Sequence, residues 1–272
     1  MATETLDQFV ARICGQLSFE QAIQLSKALL EYQGFGSGAW LDGSGEMTAV
    51  KSLLGPRPIL FDVGGHVGDY AAAFLSACPE GRCYVFEPSE SHFRILNERL
   101  GRFANVVLVN TGLGARSEER PLYKHADISG LASLTKRRLD HFNIAMDKVE
   151  MVRLQTVDEV MAQHKIETID LLKIDVEGHE LDVLKGATLA LHGNRIGLVQ
   201  FEFGGCNLDT RTTLQDFYYF FQSFGFQIGL VQPAGRVQWL PRYDEFFEHY
   251  RTTNFLATSR NNAGRISAAP PR

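Results

Sequence analysis

Ile59-Leu-Phe-Asp-Val-Gly-Gly-His-Val-Gly-Asp-Tyr70 decides how this chain is read. An apolar run enters an acid, then a tight glycine loop, then a helical pattern. Glycines let the backbone turn sharply and come close to a ligand. The helix N-terminus beyond them favours an anionic group. A dinucleotide fingerprint needs G-x-G-x-x-G, and Gly64, Gly65 and Gly68 give it in no register. No Gly-Lys-Ser/Thr follows, so the Walker pattern fails as well. Glu87 closes the next apolar run, Val85-Phe-Glu-Pro88, 19 residues after Gly68. A carboxylate there can accept both hydroxyls of a ribose. The combination points to a nucleoside ligand without a pyrophosphate. S-adenosylmethionine fits: its amino-acid carboxylate suits the helix end and its ammonium suits an acid such as Asp62. The alternative is a glycine turn made for close strand–helix packing, with Glu87 solvated.

Outward from this stretch, short β-rich runs at 58–63, 83–86, 106–109, 169–174 and 196–201 alternate with helical patterns at 68–78, 89–100, 178–191 and 212–224. Such alternation predicts an α/β fold with a doubly wound, mostly parallel sheet and ligands at the carboxyl ends of its strands. Residues 115–156 interrupt it with extended segments and a helix. Runs at 226–231, 237–240 and 254–258 read as antiparallel strands. Before the sheet, residues 4–32 read as two helices, with Leu6, Phe9, Val10 and Ile13 on one face of the first. Ser18 and Gln21 form a capping box opening the second. A glycine-rich lead-in, 34–46, and a short helix ending near Leu54 follow. The expected organisation is a helical extension and lead-in at 1–54, a catalytic domain at 55–259 and a mobile tail at 260–272.

Composition narrows the function. Of 272 residues, 44% are apolar and 22% charged, which excludes wholesale disorder. Lys+Arg 27 against Asp+Glu 32 leaves −5, so a nucleic-acid backbone is disfavoured as main partner. No run approaches the 18 or so apolar residues of a membrane span. The N-terminus has early acids and no apolar leader core, so a cytoplasmic protein is expected. Cys14, Cys78, Cys83 and Cys206 have no zinc-like spacing and read as reduced, mostly buried thiols.

Ile169-Asp-Leu-Leu-Lys-Ile-Asp-Val-Glu-Gly-His-Glu-Leu181 is the second dense cluster. Strand alternation sends Lys173 and Asp175 to one side, Gly178 permits the turn, and Glu180 falls in the first helical turn. Glu202 ends the following strand, 27 residues after Asp175, so the two acids converge at adjacent strand ends. Converging carboxylates can take the proton from a hydroxyl nucleophile, or Asp175 and Glu202 can bind Mg²⁺. The structural alternative is an ion-pair network around Lys173 with Glu177 as a helix cap.

Phe61-Asp-Val-Gly-Gly-His-Val-Gly68, Phe86-Glu-Pro88, Leu172-Lys-Ile-Asp-Val-Glu-Gly-His-Glu180 and Leu184-Lys-Gly-Ala187 together resemble the FkbM family of S-adenosylmethionine-dependent methyltransferases. The resemblance covers about 35–258. It implies a class I, Rossmann-like methyltransferase fold with a mostly parallel seven-stranded sheet. It also implies O-methylation, commonly of sugars in polysaccharides or glycolipids, or of natural-product hydroxyls. Asp62, Gly64, Gly65 and Gly68 would hold the methionine part, Glu87 the ribose, and Asn110 would edge the adenine. Asp175 and Glu177 would face the reacting centre. The family loop reads Gly-Ala-Asn-x-Gly, so His66 stands where an amide braces the loop. It is counted with the cofactor residues, open between bracing and touching substrate.

Around this core, His179 is a base candidate if its ring turns into the site. Glu46 can reach the methionine end or the acceptor. Lys136-Arg137-Arg138 reads as a solvated helix face or an anion contact. Phe217–Phe221 reads as core, and Trp40 could stack on a ligand. Loops 30–50, 115–150 and 204–211 are expected to build the acceptor pocket. The primary reading is a methyltransferase acting on a small-molecule or glycan hydroxyl, with a homo-oligomer open. The alternatives are an S-adenosylmethionine-binding accessory module without turnover and, disfavoured by the glycine register, a dinucleotide oxidoreductase.

Overall fold

A computed structural model describes residues 4–38, 41 and 43–259. Two helices come first, α1 (Leu6–Cys14) and α2 (Phe19–Tyr32). Each opens in a reciprocal capping box, Thr5 with Gln8 and Ser18 with Gln21, which satisfies two orphan backbone donors at each start. α3 (Glu46–Leu53) then leads into the alternating core: β1 (Ile59–Val63), α4 (Asp69–Ala77), β2 (Arg82–Phe86), α5 (Glu90–Leu100), β3 (Val106–Val109). An insertion follows with β4 (Gly112–Leu113), β5 (Glu118–Lys124) and β6 (Lys148–Gln155). The core resumes with α6 (Val157–Gln163), β7 (Ile169–Ile174), α7 (Glu180–Lys185), α8 (Thr188–His192), β8 (Ile196–Phe203), α9 (Cys206–Thr210) and α10 (Leu214–Ser223). It closes with β9 (Phe226–Val231), β10 (Val237–Trp239) and β11 (Thr253–Ser259).

The main sheet runs β10-β9-β11-β8-β7-β1-β2-β3. β3, β2, β1, β7 and β8 are parallel, and β11 lies antiparallel between β8 and β9. Sequence order reverses at β1, which β2 flanks on one side and β7 on the other. That reversal opens a crevice at the carboxyl ends of the strands. One face of the sheet packs Phe61, Phe86, Phe201, Phe217 and Phe221 against the helices. The other packs Leu60, Leu171, Leu198 and Leu256 against α3 and α4. The aromatic run of α10 is core, as its spacing predicts: Phe217 and Phe221 are fully buried.

Three expectations change. The sheet has eight strands, because three-residue β10 extends its β9 edge. Residues 115–156 hold no α-helix but the strands β5 and β6, which with β4 just before them make a three-stranded sheet, β4-β6-β5, in which Leu122, Val152 and Leu154 pack together; their only helical turn is the 3₁₀ segment Asp140–Phe142. The helix predicted over 178–191 breaks into α7 and α8 at Gly186, where a Cβ would lie 2.1 Å from the Gly114 carbonyl oxygen. The lead-in packs on the sheet. Phe35, Ala49 and Val50 are buried, and the Gly38 amide donates to the Thr252 carbonyl at 2.9 Å. Trp40 and the tail 260–272 lie outside the described residues. Among the described residues, no helix is long and apolar enough to cross a membrane. All four cysteines are unpaired, and only Cys14 is exposed.

Candidate active site

Strand register builds the site. Asp62 pairs with Lys173 and Lys173 with Gln200 across β1, β7 and β8; Glu202 pairs with Asn254 across β8 and β11. Paired residues share a face, as do residues two apart along a strand. Asp62, Lys173, Gln200, Glu202 and Asn254 therefore form a polar patch on the α3/α4 side of a sheet that is otherwise apolar there. Asp175 follows β7 and continues the patch towards the crevice.

Lys173 organises it. Its buried ammonium donates to Asp175 Oδ2 at 3.0 Å, lies 3.6 Å from Asp62 Oδ1, and sits 5.1 Å from the Tyr70 ring centroid. Burial opposes its charge, but Asp175 and Asp62 outweigh that and raise its pKa. Asp62 is fully buried, and neither carboxylate oxygen accepts a hydrogen bond among the described residues. Burial pushes its pKa up and Lys173 pulls it back. Beside it, the Tyr70 hydroxyl donates to Gln200 Oε1 at 2.6 Å, Gln200 Nε2 donates to Glu46, and Ser44 Oγ donates to Glu46 Oε1 at 3.0 Å. Glu46, predicted at the methionine end or acceptor, is thus anchored beneath the patch, its pKa raised by burial.

The glycine loop is shaped by its neighbours. Gly64 has φ +82°, and a Cβ there would lie 1.8 Å from the Asp175 carbonyl oxygen. At Gly65 a Cβ would meet Val85 Cγ1 at 2.2 Å, and at Gly68 it would meet Leu96 and Leu100 at 2.8 Å. Close packing thus accounts for all three glycines. Glu87 is buried and joins two loops, accepting from the His66 amide and the Ser89 amide at 2.8 Å each. His92 Nδ1 also lies 3.4 Å from Glu87 Oε1; of about four lone-pair sites on a carboxylate, one remains for a ribose hydroxyl. Asn110 Nδ2 donates to the Glu87 and Pro88 carbonyls at 2.9 and 3.2 Å. It braces the turn after β2, and its amide hydrogens are spent there rather than on an adenine. His66 stacks edge-on to His92 at 4.5 Å, and its buried Nε2 has no partner among the described residues. Burial, then His92, lowers its pKa.

Towards the crevice, Asp175 is 32% exposed. Glu177, held at φ +54°, pairs with Arg137. Burial, with Asp175 next, pushes Glu177 up to about 8 against the pull of Arg137. Burial and then Asp175 also hold Glu202 well above the usual carboxylate range. Glu180 caps the turn, accepting from the Val176 and Gly178 amides at 3.1 and 2.9 Å.

His179, the base candidate, is held at both ring nitrogens: Nδ1 lies 3.0 Å from Asp182 Oδ2 and Nε2 lies 2.9 Å from Thr135 Oγ1. With both ring nitrogens taken, the ring ties α7 to the insertion. Arg137 is no solvated helix residue; it is nearly buried between Glu177 and Asp209 in a non-helical segment, although Lys136 and Arg138 are exposed.

Tyr70, Gln200 and Asn254 were given no role by the sequence reading. Asn254 is 1% exposed, and neither side-chain atom has a partner among the described residues. The signal available was two polar residues at period two, Gln200 and Glu202, in an apolar strand. Among the described residues, no group of three or more His, Cys, Asp or Glu is arranged to hold a metal ion. The charge between Asp62 and Asp175 comes from Lys173.

A parallel sheet reversing at β1, a glycine loop and an acid-ended β2 at that reversal, and an antiparallel strand inserted near the far edge define a class I methyltransferase fold. Residues 62–228 match the methyltransferase FkbM domain, more than half of the chain, and the chain belongs to that family. It is 31% identical over 166 residues to the AMB antimetabolite synthetase AmbE of Pseudomonas aeruginosa, covering 49% of this chain but 8% of AmbE. It is 24% identical over 214 residues to the hexuronic acid methyltransferase AglP of Haloferax volcanii, covering 74% of this chain and 84% of AglP. The 2-O-methyltransferase NoeI of Sinorhizobium fredii is 26% identical over 155 residues, 54% of this chain and 64% of NoeI. A crystal structure of an FkbM methyltransferase from Methylobacillus flagellatus superposes with a TM-score of 0.47 at 16% identity, over 74% of this chain and 44% of that one.

The methyl donor such a family implies is S-adenosylmethionine, and the residues fit it. Asp62 offers a buried carboxylate that accepts no hydrogen bond among the described residues, suited to an ammonium. Glu87 retains acceptor capacity, and the orphaned His66 Nε2 adds a polar atom beside the glycine loop.

Proposed function

We propose that the protein methylates a hydroxyl of a sugar, in a glycan or a glycosylated small molecule, using S-adenosylmethionine. The observation that carries this reading is Asp175: a partly open acid at the switch point of a methyltransferase-family fold, fixed by Lys173 through one oxygen. The names of AglP and NoeI support a sugar acceptor. Asp62 would hold the ammonium of the donor and Glu87 its ribose. Bound S-adenosylmethionine supplies an electrophilic methyl group on a sulfonium. A sugar hydroxyl is a weak nucleophile near neutral pH, and Asp175 takes its proton as the oxygen is alkylated, an effect of about 10²–10⁴-fold. Glu177, pushed up to about 8 by burial, retains a proton near neutral pH and serves as a donor to an acceptor hydroxyl; burial raises Glu202 in the same direction. Lys173 is already paired with Asp62 and Asp175, and Arg137 with Asp209. That charge balance favours an uncharged ring over a uronate. With Lys173 neutralising the acids, we assign Asp175 and Glu202 to proton handling rather than to Mg²⁺. Unpaired thiols accord with a cytoplasmic setting.

The test joins calorimetric titration of S-adenosylhomocysteine with mass-spectrometric detection of methylated products from a panel of neutral, amino and uronate glycosides. Asp175→Asn should keep ligand affinity within about threefold while turnover falls roughly 10²–10⁴-fold, and a chelator should leave the wild-type rate unchanged. Undiminished turnover by Asp175→Asn would remove Asp175 from the chemistry. Tight ligand binding without product from any acceptor would favour the accessory-module reading.

A further inference from the structure

α1 and α2 carry apolar surface that the other described residues leave uncovered. Leu6, Phe9 and Val10 fall at i, i+3 and i+4 on α1; Phe19, Ile23 and Leu29 lie on α2. Neither helix has a buried residue. Phe19 is 78% exposed and Leu6 76%. Two capping boxes start these helices, so they are formed segments rather than frayed chain. Named ties hold the end of α2 to the domain: Arg251 Nη2 to Glu31 Oε1 at 2.7 Å and Gln232 Nε2 to Gln33 Oε1 at 3.0 Å.

Scattered exposed apolar residues need no explanation, but a contiguous patch beyond a few hundred Å² does. With Leu25 and Tyr32 also exposed, and large side chains offering roughly 150–250 Å² each when bare, the two helices expose on the order of 800–1,000 Å². That matches what one partner contributes to a standard interface, about 800 Å². We propose that a second copy of this chain covers the patch, the two helix pairs meeting across a twofold axis as a four-helix bundle.

Charge selects this occupant. Residues 4–33 hold Glu4, Asp7, Glu20 and Glu31 against Arg12 and Lys27. Arg12 is already paired with Glu4, and Glu31 with Arg251. The surface therefore asks for no complementary charge, and two copies approach with little repulsion. An amphipathic helix lying on a membrane is rich in Lys and Arg on its polar face, whereas the balance here is acidic. A twofold contact is self-complementary, so the same apolar stripe serves both sides.

The full-length chain supplies its own reporter, because Cys14 on α1 is its only exposed thiol. A nitroxide on Cys14 should show dipolar coupling between two labels, lost on dilution with excess unlabelled chain. Sedimentation at about 100 µM, some hundredfold above a micromolar dissociation constant, should show a dimer. Phe19→Glu with Leu29→Glu changes two side chains already in solvent, so the fold is retained. It should raise the dissociation constant at least 100-fold, abolish the coupling, and leave S-adenosylhomocysteine affinity unchanged. A wild-type monomer at that concentration, a dimer that survives the double substitution, or a monomer that sediments with phosphatidylcholine vesicles would each overturn the proposal. None of these readouts depends on the methyltransferase reading.

Discussion

Replacing Lys173 with Met tests the logic of the polar patch. Lys173 Nζ lies 3.6 Å from Asp62 and 3.0 Å from Asp175, with the Lys173 and Asp62 side chains 7% and 0% exposed. Met fills a similar volume but leaves Asp62 without a cation. Removing one partner of a buried pair costs about 3–5 kcal/mol. For a domain of this size, each kcal/mol lowers Tm by roughly 2–4 °C, so a fall of about 10 °C is expected. The loss should depend on pH. In the wild type, Lys173 has a raised pKa, so its contribution is complete below the unfolded-state lysine value and constant between pH 5.5 and 8. In the variant, Asp62, whose pKa burial already raises, holds a proton that the unfolded chain releases. Its native state gains stability as pH falls, so the deficit is larger at pH 8 than at pH 5.5. Urea unfolding at the two pH values measures this, and adding Asp62→Asn should recover more than half of the loss. A deficit below about 1 kcal/mol, or one that does not shrink in acid, would refute the view that Lys173 compensates a buried carboxylate.

Two further outcomes follow from neighbouring residues. Asn254→Leu removes a buried amide that has no partner among the described residues, whose desolvation costs about 1–3 kcal/mol; thermal unfolding should shift up by several degrees. A variant that is not stabilised would show that the amide is compensated in the folded state. For Glu177, a folded pKa of about 8 means the native state binds a proton that the unfolded chain releases above about 4.5. Stability should thus fall as pH rises from about 5 to 8, by up to about 1.4 kcal/mol per unit, and Glu177→Gln should flatten the slope; a wild-type Tm level over that range would contradict it.

The alternation of core strands and helices was legible because burial on both faces makes parallel strands continuous apolar runs. Asp62, Glu87, Asp175 and Glu202 could be placed together because a doubly wound sheet brings strand ends to one crevice. What escaped reading depends on partners remote in sequence. The His179 ring is turned away by Thr135, 44 residues earlier. Gly186 ends α7 because Gly114 presses on it, which no helical periodicity reports. Arg137 looks like any surface arginine until Glu177 and Asp209 close on it. In the insertion, local pattern could not tell a small antiparallel sheet from strands plus a helix, since Leu122, Val152 and Leu154 find each other only after the chain doubles back.

The contact at Gly64 has a mechanical consequence. Its α-carbon lies so near the Asp175 carbonyl that the turn after β1 and the turn after β7 behave as a single rigid bracket. A side chain at position 64 would wedge them apart, shifting the glycine loop and Asp175 in one stroke. The lead-in is clamped to the sheet in the same manner, since a Cβ at Gly34 or Gly45 would lie 2.3 Å from the Val231 or Gln232 carbonyl oxygen.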